Sequence, residues 1–142
     1  KFDEGTIIAQ KKIPITDKDF SDPLRTKLFA IGADLLVSTL PSLSASKGAL
    51  KGSPNHEEPY ARRLTRDDGF ESWQTIQNAM NNPEEAKRID RKFRALDPWP
   101  GLWSKFGDKR IKIISCHMMP HLILDTVQLE GKKPVRFQQF AP

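Results

Sequence analysis

The apolar positions of this chain change period along its length, and each change marks an element. The first runs are short and β-branched. Thr6-Ile7-Ile8-Ala9-Gln10 and Ile13-Pro14-Ile15, parted by Lys11-Lys12, predict one strand, or two pieces of one, ending near Thr16. Pro14 cannot donate to a ladder, which puts that strand at a sheet edge. The period then becomes helical. Ser21 or Asp22 can cap, Pro23 suits a first helical position, and Leu24, Leu28, Ile31, Leu35, Leu36 and Leu40 recur on one face. The spacing predicts a long amphipathic helix with a buried stripe, stopped by Pro41.

Residues 41–59 lose all periodicity and fill with Ser, Lys, Gly and Pro, which is the composition of a linker. Tyr60-Ala61-Arg62-Arg63-Leu64-Thr65-Arg66 follows, with Asp67-Asp68-Gly69-Phe70 as a turn and Trp73 as an anchor for the next element. Asn82-Pro83-Glu84-Glu85 is a helix start: a cap, a proline at the first position, and acids facing the positive end of the helix dipole. Ala86, Ile89, Phe93 and Leu96 form the apolar face of that helix. Arg94 lies near its end, where Asp97-Pro98-Trp99-Pro100-Gly101 turns a rigid corner. Trp99, held between two proline rings, is assigned to packing. Leu102 to Phe106 and Arg110 to Ile114, around Gly107-Asp108, predict a hairpin with Lys105, Lys109, Arg110 and Lys112 on one exposed side of its tip. Leu122 to Leu129 is a further strand, Gly131-Lys132-Lys133-Pro134 a turn, and Val135 to Phe140 a closing piece.

Charge sharpens this division. Residues 1–59 hold eight Lys/Arg against eight Asp/Glu, so the net charge of +5 comes wholly from residues 60–142. A neutral first part joined to a basic second part suits a module that faces a polyanion. The single cysteine, Cys116, excludes an internal disulfide framework and fits a reducing compartment. Cys116-His117-Met118-Met119-Pro120-His121 carries donors that could suit zinc or copper, but one loop supplies them all; the segment reads as a turn, with no metal. No apolar run is expected to span a membrane.

Arg94-Ala95-Leu96-Asp97-Pro98-Trp99-Pro100-Gly101-Leu102-Trp103 followed by Gly107-Asp108-Lys109-Arg110-Ile111 resembles the start of the C-terminal domain of the methionyl-tRNA formyltransferase family. Phe2-Asp3-Glu4-Gly5-Thr6-Ile7-Ile8 is similar to that family's Leu-Asp-Thr-Gly-Asp-Ile-Leu segment. Ile31-Gly32-Ala33-Asp34-Leu35-Leu36 resembles its characteristic helix, and Val127-Gln128-Leu129-Glu130-Gly131-Lys132-Lys133-Pro134 its C-terminal turn. Two departures stand out: Glu4-Gly5-Thr6 replaces Thr-Gly-Asp, and Ser115 to His121 is far shorter than the family's several strands.

The resemblance implies an α/β fold: the end of a Rossmann-like formyltransferase domain over residues 1–44, a linker over 45–66, and a shortened OB-like β-barrel with a preceding helix over 67–142. It implies formyl transfer from 10-formyltetrahydrofolate to the amino group of methionyl initiator tRNA, without a metal. Asp3 aligns with the catalytic aspartate, which orients a His and assists proton loss while an Asn and the His hold the developing oxyanion. That Asn and His belong upstream, so this chain is expected to be a fragment, inactive alone. Arg62, Arg63 and Arg66 align with basic residues that touch the tRNA backbone. A monomer in the cytoplasm is the default, with a mitochondrion or plastid as the eukaryotic alternative. The rival readings are a sugar-nucleotide or folate-hydrolysing relative and a non-catalytic OB-like nucleic-acid binder.

Overall fold

The computed structural model describes residues 6–45, 52 and 61–140. The chain forms two compact units, residues 1–16 with 23–62, and residues 17–22 with 63–142.

In the first unit the expected strand does not form among the described residues: Ile7 makes an isolated bridge and Ala9 to Thr16 are irregular. A β-branched run becomes a strand only where a neighbour takes its hydrogen bonds, and no described ladder runs beside it. Helix α1, Ser21–Ala45, passes through Pro41 instead of stopping before it. Pro41 has no N–H to give its preceding turn. Ser38 and Thr39 hydroxyls donate to the Leu35 carbonyl at 2.8 and 2.7 Å in the turn just before. The expected buried stripe is also absent. No residue of α1 is buried; Leu28, Phe29, Leu36, Val37 and Leu40 are exposed, and Leu24, Ile31 and Leu35 half-buried. By length and composition α1 is apolar enough to cross a membrane, against expectation, because Asp34 is the lone charge from Leu28 to Ala45.

The second unit is built around helix α3, Pro83–Leu96, which starts where its cap predicts. The Asn82 Oδ1 accepts from the Glu84 and Glu85 amides at 2.9 and 3.3 Å. Its expected apolar face, Ala86, Ile89, Phe93 and Leu96, is buried. A shorter helix, α2 (Trp73–Ala79), capped by Ser72, adds Ile76 and Ala79. Against these lies a four-stranded antiparallel sheet in the order β1 (Trp103–Phe106), β2 (Lys109–Met118), β3 (Leu122–Leu129) and β4 (Val135–Arg136). Leu102, Ile111, Ile113, Leu122, Leu124 and Val127 complete one hydrophobic core. The hairpin turn and the third strand fall where the alternation places them, but β2 runs past Ile114 to Met118, so Cys116, His117 and Met118, expected in a turn, pair with β3 instead. Helix α4, Phe137–Phe140, closes the end: Phe106 stacks edge-on to Phe140 and Trp73 at 5.0 and 5.3 Å between centroids.

Arg94, in the last turn of α3, is drawn inward. It is 8% exposed, donating to Asp90 at 2.9 Å and to the Asp19 carbonyl at 3.0 Å, while Phe20 packs edge-on to Phe93. These contacts fasten residues 17–20 to the helical face.

Candidate nucleic-acid interface

The corner after α3 is closed by the Gly101 amide donating to the Leu96 carbonyl at 2.9 Å, with cis peptides at Asp97–Pro98 and Trp99–Pro100. Leu96 and Leu102 point into the core on either side. Trp99 is therefore left at the apex, 56% exposed, contrary to its assignment to packing. The prolines signalled rigidity; the direction of the ring depends on how the turn closes.

From the corner the chain enters β1, whose register with β2 sorts the basic residues. Trp103 pairs with Lys112 and Lys105 with Arg110, which puts these four on the sheet face away from the core. Lys109 pairs with Phe106 and shares the alternation of Ser104 and Ile111, so it does not join the others. The expectation of one basic side holds for Lys105, Arg110 and Lys112 only.

A third segment completes the surface. A 3₁₀ turn, Arg66–Gly69, sits over the corner, bridged by Phe70 to Trp103. The Trp103 indole N–H donates to the Arg66 carbonyl at 2.8 Å, and the Glu71 amide to the Trp103 carbonyl at 2.9 Å. Phe70 and Trp103 rings lie 4.9 Å apart. Gly69 is buried against the corner, where an added Cβ would press into the Gly101 carbonyl and lie 3.1 Å from the Trp103 ring. Glu71 then ties the segment to α3. It accepts both terminal nitrogens of Arg88 at 2.8 and 3.0 Å and the Lys92 ammonium at 2.9 Å. Arg88, first, and Lys92 hold its carboxyl below the usual carboxylate range against the opposing effect of burial.

The result is a groove of about 300 Å³ lined by Arg66, Trp99, Pro100, Trp103, Arg110 and Lys112. The Arg110 guanidinium lies 5.5 Å over the Trp103 ring and 3.7 Å from Glu130. Lys112 lies across Gly101, whose φ of 77° suits a residue without a side chain; a Cβ there would meet the lysine Cε at 2.8 Å. Three cations beside two indoles can hold phosphates and a planar ring together.

Of the arginines singled out in the sequence, Arg66 lines this groove. Arg62 and Arg63 are exposed in the segment before it. Arg110 and Lys112 were noted for their charge alone; the alternation Trp103-x-Lys105 against Arg110-x-Lys112 is the signal that puts them beside an indole. Asp3 lies outside the described residues. Among the described residues no group of three or more His, Cys, Asp or Glu is placed to hold a metal. Burial, then Asp90 and Asp125, push the Cys116 thiol up to about 12, and His117 Nδ1 is 2.9 Å from Asp125.

Residues 80–122, from the end of α2 to the start of β3, match the family model described as "Formyl transferase, C-terminal domain". That stretch of the second unit is thus similar to the C-terminal domain of formyl transferases. The curated relatives that the chain resembles are methionyl-tRNA formyltransferases. It is 36% identical to that of Roseiflexus sp. (strain RS-1) over 121 residues, covering 84% of this chain and 34% of the relative. It is 30% identical to the Roseiflexus castenholzii protein over 162 aligned positions, covering 95% and 48%. With that of Thermodesulfovibrio yellowstonii it shares 35% over 161 aligned positions, covering 97% and 49%. The chain spans about a third to a half of the length of these relatives.

Proposed function

We propose that this chain serves methionyl-tRNA formyltransferase activity, the transfer of a formyl group from 10-formyltetrahydrofolate to the amine of methionyl initiator tRNA. The observation that carries the proposal is the groove of Arg66, Arg110 and Lys112 beside Trp99 and Trp103, in a unit whose residues 80–122 match the formyl transferase C-terminal domain. In this reading the antiparallel sheet with its helices is a shortened OB-like barrel and residues 67–142 bind the tRNA. Arg62 and Arg63 extend the phosphate contacts along the linker, residues 45–66. Residues 1–44 complete a Rossmann-like catalytic domain to which Asp3 brings the carboxylate that orients a catalytic His. The exposed leucines of α1 suit cover by such a domain. Asp34 near the middle of α1 argues against lipid as the cover, since a lone carboxylate in a bilayer is costly. The cytoplasm, where initiator tRNA is charged, is the compartment this reading favours, and a monomer its simplest state.

Initiator tRNA binding by the 142-residue chain, measured over a range of salt, tests the proposal. Arg66→Ala and Lys112→Ala should each weaken binding and reduce the slope of log K against log salt by about one, one phosphate contact apiece. A chain that binds no tRNA at low salt, or a double variant with an unchanged slope, would remove the second unit as the tRNA surface.

A further inference from the structure

Trp99 is the largest side chain that the second unit leaves in water beside its cations. Two prolines fix the backbone on both sides of it, so the exposed indole is presented at little entropic cost. Its position in the groove with Pro100, Trp103, Arg66, Arg110 and Lys112 gives it charged neighbours suited to a polyanion. Phosphate contacts alone need no such ring. A paired RNA helix keeps its base faces stacked, whereas an unpaired nucleotide offers one.

We infer that the Trp99 indole is a stacking face for an unpaired base of RNA lying in this groove, with Arg66 and Lys112 meeting the adjoining phosphates. The inference rests on the tRNA-binding reading above and adds to it a preference for unstacked nucleotides. Trp103 cannot play the same part. Phe70 packs against its ring at 4.9 Å, Arg110 covers it at 5.5 Å, and its N–H is engaged by the Arg66 carbonyl. Glu130, 3.7 Å from Arg110, offsets part of that arginine's attraction for phosphate, which leaves Arg66 and Lys112 as the main cations for the phosphates. The groove volume, about 300 Å³, lies at the small end of ligand sites and suits one base, not a folded element.

The test compares two RNA probes on the full 142-residue chain: a single-stranded oligoribonucleotide of about ten nucleotides and a blunt duplex of the same length. Trp99→Leu should weaken single-strand binding by roughly fivefold to a hundredfold, the worth of one stacked base, without changing its salt slope. Duplex binding should stay as it was. Trp99→Phe, which keeps a flat ring, should retain most of the affinity, and both variants should keep the wild-type denaturation midpoint because the ring is exposed. Lys112→Ala should lower the salt slope instead. A Trp99→Leu chain that binds single strands as tightly as wild type, while Lys112→Ala binds them weakly, removes the stacking role and leaves the tRNA reading standing. Equal losses on both probes, or a Phe variant as weak as the Leu variant, also overturn the inference. Failure of the wild-type chain to bind any RNA removes both readings.

Discussion

Gly69→Ala should separate the turn that carries Arg66 from the corner that carries Trp99. Gly69 is buried with its α-carbon against the Gly101 carbonyl, so the added methyl meets backbone on one side and the Trp103 ring at 3.1 Å on the other. Neither neighbour is the flexible end of a side chain. Relief requires the turn to lift by about 1 Å to restore ordinary van der Waals separation. That carries the Trp103 Nε1 to Arg66 carbonyl bond from 2.8 Å, and the Glu71 amide to Trp103 carbonyl bond from 2.9 Å, past hydrogen-bonding range. Two bonds at about 1 kcal/mol each, plus the cost of leaving their donors poorly satisfied, come to about 2–4 kcal/mol. Urea denaturation followed by tryptophan fluorescence measures this, with Asp67→Ala, an exposed change in the same turn, expected within about 0.5 kcal/mol of wild type. Binding to tRNA should weaken as well, because Arg66 leaves the groove. A Gly69→Ala chain within about 0.5 kcal/mol of wild type would mean that the turn does not rest on the corner as described.

Two further predictions follow from charge. Glu71→Gln should cost about 1–2 kcal/mol at neutral pH, since the side chain is 12% exposed and accepts from two cations. The folded-state pKa of Glu71 is lowered from 4.5, so its stabilisation is present above that pH and is lost as pH falls through the lowered value. The difference between wild type and Glu71→Gln in urea midpoint should therefore shrink below pH 4.5, and a difference that stays constant would show that the Arg88 and Lys92 contacts do not depend on its charge. Cys116, pushed up to about 12 chiefly by burial, should resist alkylation at pH 8 in the native chain and react at the rate of an ordinary thiol in denaturant; rapid native modification would place the thiol in solvent.

The elements whose signals are local could be read from the sequence. Asn82-Pro83-Glu84-Glu85 states a cap, a fixed φ and a favourable dipole within four residues, and α3 starts there. Gly107-Asp108 between alternating runs is a hairpin wherever it is placed, and Leu122–Leu129 matches its strand end to end. What could not be read depends on partners far along the chain. The run at residues 6–15 has strand composition, but composition does not supply a neighbour. The stripe of α1 has helical spacing, but spacing does not supply the surface that covers it. Helix α2 has only seven residues, too few for a period to show. Trp99 is the instructive case at the candidate site. Its flanking prolines announce a rigid corner, and a buried ring and a displayed one look the same until Leu96, Leu102 and the closing bond to Gly101 fix the direction.

The distribution of arginines carries the same lesson further. By sequence α3 holds the longest basic run, with Lys87, Arg88, Arg91, Lys92 and Arg94 in eight positions. It would be the natural choice for a polyanion surface. In the fold most of that charge is answered locally: Lys87 by Glu84, Arg88 by Glu71 and Glu85, Lys92 by Glu71, and Arg94 by Asp90. Each of these pairs fastens α3 to its own surface or to the segment ahead of α2, so the charge serves the fold and is screened from a distant phosphate. Arg66 and Lys112, from two shorter basic clusters and 46 positions apart, make no ion pair among the described residues and come to one groove. Affinity for a polyanion follows uncompensated charge, not the count of basic residues. The +5 of the chain thus acts where basic residues lack acidic partners, and the corner at Trp99 is what gathers them.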